Sequence, residues 1–105
     1  MSLSGKGRRD KGVAGEREVR SAFERAGFEV RGLEDTGDHL VICAGLTLHV
    51  ESKRQETIRI ALWSQQAEIE APQGTVPIVA YRRSREPWRV SLLLDDFVAL
   101  LPHER

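Results

Sequence analysis

The 105-residue sequence contains a single cysteine, Cys43. An internal disulfide is therefore excluded, as is a zinc site built from paired cysteines. We interpret Cys43 as a small buried residue of a strand, which favours a reducing, cytoplasmic compartment. No apolar run approaches the roughly 18 residues that a membrane-spanning helix needs, so we expect no membrane partner. The first residues also lack the apolar stretch of a secretory signal.

An excess of charge of either sign is also missing, since 16 basic residues balance 16 acidic ones. In a neutral chain, the distribution of charge decides whether a polyanion can bind. Two basic clusters stand near the two ends of the chain: Lys6, Arg8, Arg9 and Lys11, and then Arg82, Arg83, Arg85 and Arg89. Several acids lie between the clusters: Glu34, Asp35, Asp38 and Glu51. This distribution suits a metal-dependent site acting on a polyanion, and two solvated surface runs are the alternative.

Hydrophobic periodicity predicts the order α-β-β-β-α-β-β-α within one domain. The predicted helices cover residues 11–26, 58–71 and 93–101, and the strands 28–33, 38–43, 46–53, 76–81 and 88–92. A hairpin followed by a helical crossover to a buried strand indicates an α/β fold with a mixed sheet. We expect residues 1–9 to form a flexible basic segment before a domain of residues 10–105.

The sharpest chemical feature is a group of acids at one end of the predicted sheet. The hairpin closed by Ala44-Gly45 brings Asp38 and Glu51 to the end remote from the turn, and Lys53 shares the face of Glu51. Two neighbouring carboxylates oppose each other's ionisation unless a cation lies between them, and Mg²⁺ binds carboxylates together with phosphate oxygens. An ordinary surface ion pair between Glu51 and Lys53 is the alternative.

The first helix adds a further acid to this pattern. Glu16 lies at the edge of the apolar stripe that contains Val19 and Phe23. An unpaired charge on a core-facing stripe is costly, so Glu16 is a candidate for the same site. A first-turn acid stabilised by the helix dipole is the other interpretation.

Together, these residues resemble the PD-(D/E)xK nuclease superfamily, and in particular the small archaeal and phage Holliday junction resolvases. The resemblance begins at the segment 11–18 with its glutamate, Glu16, and continues through Asp38 to Glu51-Ser52-Lys53. It extends to the basic stretch at Arg54 and to the glutamine-bearing segment 63–68, and so covers almost the whole chain. Gly37 stands where the family's motif has proline. The resemblance implies a restriction-endonuclease-like αβββαβ core with a mixed sheet flanked by helices.

The resemblance also implies an activity, which is metal-dependent hydrolysis of phosphodiester bonds in branched DNA by a homodimer. Glu16, Asp38 and Glu51 would hold Mg²⁺ or Mn²⁺ together with the Ser52 carbonyl, and Lys53 would assist the attacking water. Such an enzyme would serve DNA recombination or repair in the cytoplasm of a bacterial, archaeal or phage-infected cell. A repair- or restriction-type nuclease, and a non-catalytic DNA-binding protein of this fold, are the alternatives.

Several assignments within the site stay open. Asp35 competes with Asp38, which we prefer because it begins the apolar run of its strand. Gln66, with Gln65 as the alternative, is expected on an inward helix face, where it has a catalytic role or forms a simple buried polar contact. His49 shares the Glu51 face, but a hard metal ion prefers oxygen ligands. DNA contacts are expected at eight basic residues: Lys6, Arg8, Arg9, Lys11, Arg54, Arg82, Arg83 and Arg85.

Overall fold

The computed structural model describes residues 5–33 and 37–102, with side chains from residue 12 onward. The described elements are α1 (Gly5–Arg25), β1 (Glu29–Gly32), β2 (His39–Cys43), β3 (Leu46–Arg54), α2 (Ile60–Glu70), β4 (Thr75–Arg82), β5 (Arg89–Ser91) and α3 (Leu94–Leu100). Their order confirms the sequence prediction. Within the described ranges, no helix has both the length and the apolar character that a membrane crossing requires.

The strands form one mixed sheet in the order β1-β2-β3-β4-β5. β3 and β4 are parallel, and the other neighbours are antiparallel. The β2–β3 hairpin pairs His39 with Val50 and Cys43 with Leu46. Gly45 has a φ of 83° in the connecting turn, a left-handed conformation that glycine adopts without steric cost. The predicted α/β class with a mixed sheet is therefore confirmed.

Helices cover both faces of this sheet, and each face has its own core. The core against α1 contains Val19, Val41, Leu48, Val50, Ile78 and Ala80. The smaller core against α2 contains Trp63, Ala67 and Val79. Because successive strand residues point to opposite faces, Val50 belongs to the α1 face and Glu51 to the α2 face. The acids of the motif therefore lie on the face that α2 covers.

Two predicted helix properties need correction. α1 begins at Gly5 rather than at residue 11, because lysine and arginine are good helix formers and extend the helix beyond its apolar stripe. α2 buries the face with Trp63 and Ala67 rather than the expected face with Gln66, and Leu62 and Ile69 are 47% and 83% exposed. Apolar residues surround α2 on several sides, so periodicity alone does not choose its buried face. The division of the chain between residues 9 and 10 stays a prediction.

Candidate metal centre

Three carboxylates from three parts of the fold meet on the α2 face. Asp38 directly precedes β2, and the hairpin register carries it to the position across from Glu51. Glu70 is the last residue of α2. One oxygen atom of each lies within 4.8 Å of the other two, which is a spacing that a single metal ion can bridge. Asp38 and Glu51 are buried, and Glu70 is exposed at the mouth of the group.

The surroundings of the two buried acids disfavour their charged forms. Burial raises the pKa of Asp38, and the negative charges of Glu70 and Glu16 raise it further, while His49 and Lys53 oppose the rise. Burial also raises the pKa of Glu51, against the opposing effect of Lys53. A bound cation would lower both pKa values again, because it stabilises the ionised carboxylates directly.

Glu51 shows that the group fits a hard divalent ion. Its Oε2 atom is buried and has no hydrogen-bond partner among the described residues. Its Oε1 atom lies 3.8 Å from Nζ of Lys53. A buried acceptor without a partner costs roughly 1–3 kcal/mol, more for a charged group, and a metal ion can offset that cost. Three carboxylates form the all-oxygen donor set that Mg²⁺ and Mn²⁺ prefer.

His49 contacts the same group from β3. Its Nε2 atom lies 3.5 Å from Oδ2 of Asp38, and its side chain is almost fully buried. The contact is an ion pair when the imidazole is protonated. His49 thus lies beside a carboxylate of the group, although it is not one of the three ligand residues.

Glu16 lies at the rim of the cleft rather than in the three-carboxylate group. Its Oε1 atom is 3.8 Å from Nη1 of Arg20. The cleft beside the carboxylates is lined by Gly12, Val13, Glu16, Gly37, Asp38, Glu51, Ser52 and Lys53. The structure therefore brings the predicted residues Glu16, Asp38, Glu51, Ser52 and Lys53 together. Among the described residues, however, the group with metal-binding spacing contains Glu70 instead of Glu16.

The predicted inward position of Gln66 is wrong. Gln66 and Gln65 are both exposed, because α2 turns a different face to the sheet. Trp63, Ala67 and Glu70 follow one another at the i, i+4 and i+7 positions of that face. Glu70 was not among the predicted site residues, and the Trp63–Ala67 stripe places it beside the carboxylates only once that face is known to be buried.

The predicted DNA-contacting arginines have different surroundings. Nη2 of Arg82 donates hydrogen bonds of 2.9 and 3.0 Å to the carboxylate of Glu18, and its guanidinium lies 5.3 Å from the Trp88 ring centre. These contacts, with a side chain only 10% exposed, make Arg82 part of the α1–β4 packing. Arg54 is half-buried, whereas Arg83 and Arg85 are exposed in the β4–β5 turn.

Four of the predicted DNA-contacting residues precede the first described side chain. The side chains of Lys6, Arg8, Arg9 and Lys11 lie outside the described residues, as do Asp35 and Thr36. His39, by contrast, is fully buried against Phe23, with ring centres 6.2 Å apart. Burial, with the nearby positive charge of Arg20, lowers the pKa of His39 to about 4. His39 is therefore a neutral core residue.

The fold is similar to that of a known nuclease. The structure superposes on the Hjc Holliday junction resolvase of the archaeal hyperthermophile Archaeoglobus fulgidus with a TM-score of 0.60 and 20% sequence identity. The match covers 78% of this chain and 72% of the resolvase. No protein-family model and no curated protein sequence matches the chain. The predicted resemblance to the resolvases is thus confirmed as a shared restriction-endonuclease-like fold.

Proposed function

We propose that the protein is a divalent-metal-dependent endonuclease that cuts branched DNA. The observation that carries the proposal is the buried pair Asp38 and Glu51, joined by Glu70 within 4.8 Å and by Lys53 3.8 Å from Glu51. Buried carboxylates with raised pKa values next to a lysine are typical of a site that binds a metal and a charged substrate. The resolvase-like fold supports a nucleic acid as that substrate.

Each residue of the site has a distinct part in the proposed reaction. Asp38 and Glu51 would hold the ion, with Glu70 or Glu16 as the third carboxylate and the Ser52 carbonyl as a further ligand. When bound, Mg²⁺ or Mn²⁺ would polarise the phosphate and make water a stronger nucleophile. Lys53 would hold the attacking water and stabilise the negative charge that develops on the phosphate oxygens. Attack on phosphorus would release the 3′ oxygen and leave a 5′-phosphate, as the family resemblance implies.

We further propose that the enzyme is a homodimer, with one site for each of two DNA strands. An exposed apolar surface on β5 and α3 supports this proposal. It comprises Val90, Leu93, Leu94, Phe97, Val98 and Leu101, which are 46–73% exposed. Leu94, Phe97, Val98 and Leu101 have the i, i+3, i+4, i+7 spacing of one helix face. An exposed apolar face of this kind marks an interaction site more often than a monomer surface. Light scattering of the purified protein tests the assembly, and a monomer would refute it.

DNA binding is proposed for the exposed arginines of the β4–β5 turn, for Arg54 and for the basic residues of segment 1–9. Arg83 and Arg85 are exposed in the β4–β5 turn, and Arg54 is the last residue of β3, directly after Lys53. The segment 1–9 supplies Lys6, Arg8 and Arg9. Its removal should flatten the dependence of DNA affinity on salt by about 0.9 in log–log slope for each lost phosphate contact.

A cleavage assay on three substrates tests the proposed activity. Labelled four-way junction, matching duplex and single strand are incubated with the protein in Mg²⁺, in Mn²⁺ and in EDTA. We expect paired cuts in the junction with either metal, no cuts in EDTA, and no cuts by Asp38→Asn. Glu68→Gln is the matched control, because Glu68 is exposed on α2 and lies outside the carboxylate group.

The outcome also separates the alternative functions. Equal cutting of duplex and junction would favour a repair- or restriction-type nuclease. Binding without cutting in either metal would overturn the proposed activity and favour a non-catalytic DNA-binding protein.

A further inference from the structure

A row of side chains leads from the metal centre to the edge of the sheet. Lys53 of β3 is paired with Tyr81 of β4, and Tyr81 is paired with Arg89 of β5. Residues paired across neighbouring strands point to the same face, so all three share the α2 face with Glu51. At about 4.8 Å between strands, the Cα atom of Arg89 lies roughly 10 Å from that of Lys53.

This row ends in a second cleft, separate from the cleft beside the carboxylates. Six of its lining residues are Ile58, Tyr81, Arg83, Glu86, Pro87 and Arg89, and we call it the arginine cleft. Ile58, Tyr81 and Pro87 give it an apolar wall, and the Tyr81 ring packs against Trp63 with ring centres 6.5 Å apart. An apolar wall beside guanidinium groups suits a ligand that combines flat or sugar surfaces with negative charge.

The charge available in the arginine cleft is positive. Arg89 is exposed, and no ion pair joins it to another of the described residues. Nε of Arg83 lies 3.9 Å from Oε2 of Glu86, an exposed pair of the kind that contributes little. Arg82 also reaches the cleft, but its guanidinium is hydrogen-bonded to Glu18. Arg83 and Arg89 thus outnumber the one carboxylate of the cleft, that of Glu86, which leaves the cleft with a net positive charge.

The turn that carries Arg83 is held in place before any ligand binds. The backbone N–H and the hydroxyl of Ser84 donate hydrogen bonds of 3.2 and 2.5 Å to Oε1 of Glu56. This contact ties the β4–β5 turn to the loop that follows β3. A binding surface that is already ordered loses less conformational entropy when its ligand binds.

We infer that the arginine cleft binds the sugar-phosphate backbone of the DNA strand that is cut, within about three nucleotides of the scissile phosphate. The inference rests on the proposed function for the identity of the strand. The roughly 10 Å between the Cα atoms of Lys53 and Arg89 sets this limit, because each nucleotide advances a strand by at least about 3.4 Å. Lys53 contacts the reacting phosphate, and Arg89 with Arg83 contacts the more distant one.

Salt-dependent binding tests the cleft directly. Affinities of Arg89→Gln and Arg83→Gln for labelled duplex and four-way junction are measured in EDTA over a range of salt concentrations. The matched control is Arg25→Gln, because Arg25 is an exposed arginine in the last turn of α1. We expect each cleft variant to lower the log–log slope by about 0.9, which corresponds to an about eightfold loss at 0.1 M salt relative to 1 M. Arg89→Lys should retain most of the slope.

A neutral methylphosphonate placed at single positions locates the contact. It should weaken wild-type binding at one position within about three nucleotides of the cut, and should have no further effect on Arg89→Gln at that position. If Arg89→Gln and Arg83→Gln have the same DNA affinity and salt dependence as Arg25→Gln, the proposed DNA contact in the arginine cleft is refuted. Because binding is measured without divalent ions, a wild-type protein that binds in this way but never cuts would refute the proposed nuclease activity and leave the cleft standing.

Discussion

Replacing Glu51 by glutamine should change the stability of the protein in opposite directions with and without metal. Glu51 is buried, and burial raises its pKa from the ordinary value of 4.5. As the pH rises from 4.5 through that raised pKa, the folded protein holds a proton that the unfolded chain has lost, so its stability falls. Glutamine has nearly the same shape and no proton to lose. Without metal at neutral pH, Glu51→Gln should therefore be more stable than the wild type.

With Mg²⁺, the wild type should instead be more stable than Glu51→Gln. An ion at a hundred times its dissociation constant stabilises the folded wild type by about 2.7 kcal/mol. In a domain of this size, that raises Tm by roughly 10–20 °C. If the loss of one of the three carboxylates lowers the affinity for Mg²⁺ about a hundredfold, the same Mg²⁺ concentration stabilises Glu51→Gln by only about 0.4 kcal/mol. The stabilisation by Mg²⁺ should thus nearly vanish in the variant.

Thermal denaturation followed by circular dichroism measures both effects. Wild type, Glu51→Gln and the exposed control Glu68→Gln are compared in EDTA and in Mg²⁺ at several pH values. The control should respond to Mg²⁺ as the wild type does. The wild-type response should also grow as the pH rises, because Asp38 and Glu51 must lose protons to bind the ion. An equal Mg²⁺ response in wild type and Glu51→Gln, or a destabilised variant in EDTA, would refute the reasoning.

Three further predictions concern neighbouring positions. Glu70→Gln should weaken Mg²⁺ binding in calorimetry by at least about tenfold more than Glu16→Gln; the reverse order would make Glu16 the third ligand. Lys53→Met should keep the fold, lose no more DNA affinity than one phosphate contact supplies, and slow cleavage by about 10²–10³. An unchanged rate would leave the lysine as a simple ion-pair partner. Gly15→Ala should destabilise by about 1–3 kcal/mol, because its Cβ would lie 3.0 Å from a β3 side chain. Gly12→Ala, with nothing within 4 Å, should be neutral or stabilising in the same denaturation experiment.

The order of elements and two of the three carboxylates of the candidate metal centre could be predicted from the sequence, because both depend on local patterns. Strand alternation and the two-residue turn at Ala44-Gly45 fix which residues of β2 and β3 are opposite one another. That register alone places Asp38 across from Glu51 and puts Lys53 on the same face. The short-range geometry of the hairpin thus determined the relative positions of Asp38, Glu51 and Lys53.

The face that α2 turns to the sheet was decided only by tertiary packing. Its apolar residues are spread around the helix, so several faces are similar in hydrophobicity. The buried position of Trp63 beside Tyr81 selects one of them. Each residue advances a helix by about 100°, so this choice moved Gln66 to the surface and brought Glu70 to the carboxylates.

The roles of the arginines in β4 and its turn were also decided by the tertiary structure. In the sequence, Arg82 and Arg83 are adjacent and equally basic. Arg82 instead pairs with Glu18, which lies 64 positions earlier, because α1 covers its face of the sheet. Tyr81, one residue earlier, points to the opposite face and continues the row from Lys53. A count of charges along the chain does not distinguish residues that point to opposite faces of a strand. The helices that pack on the two faces determine which arginines remain available to a ligand.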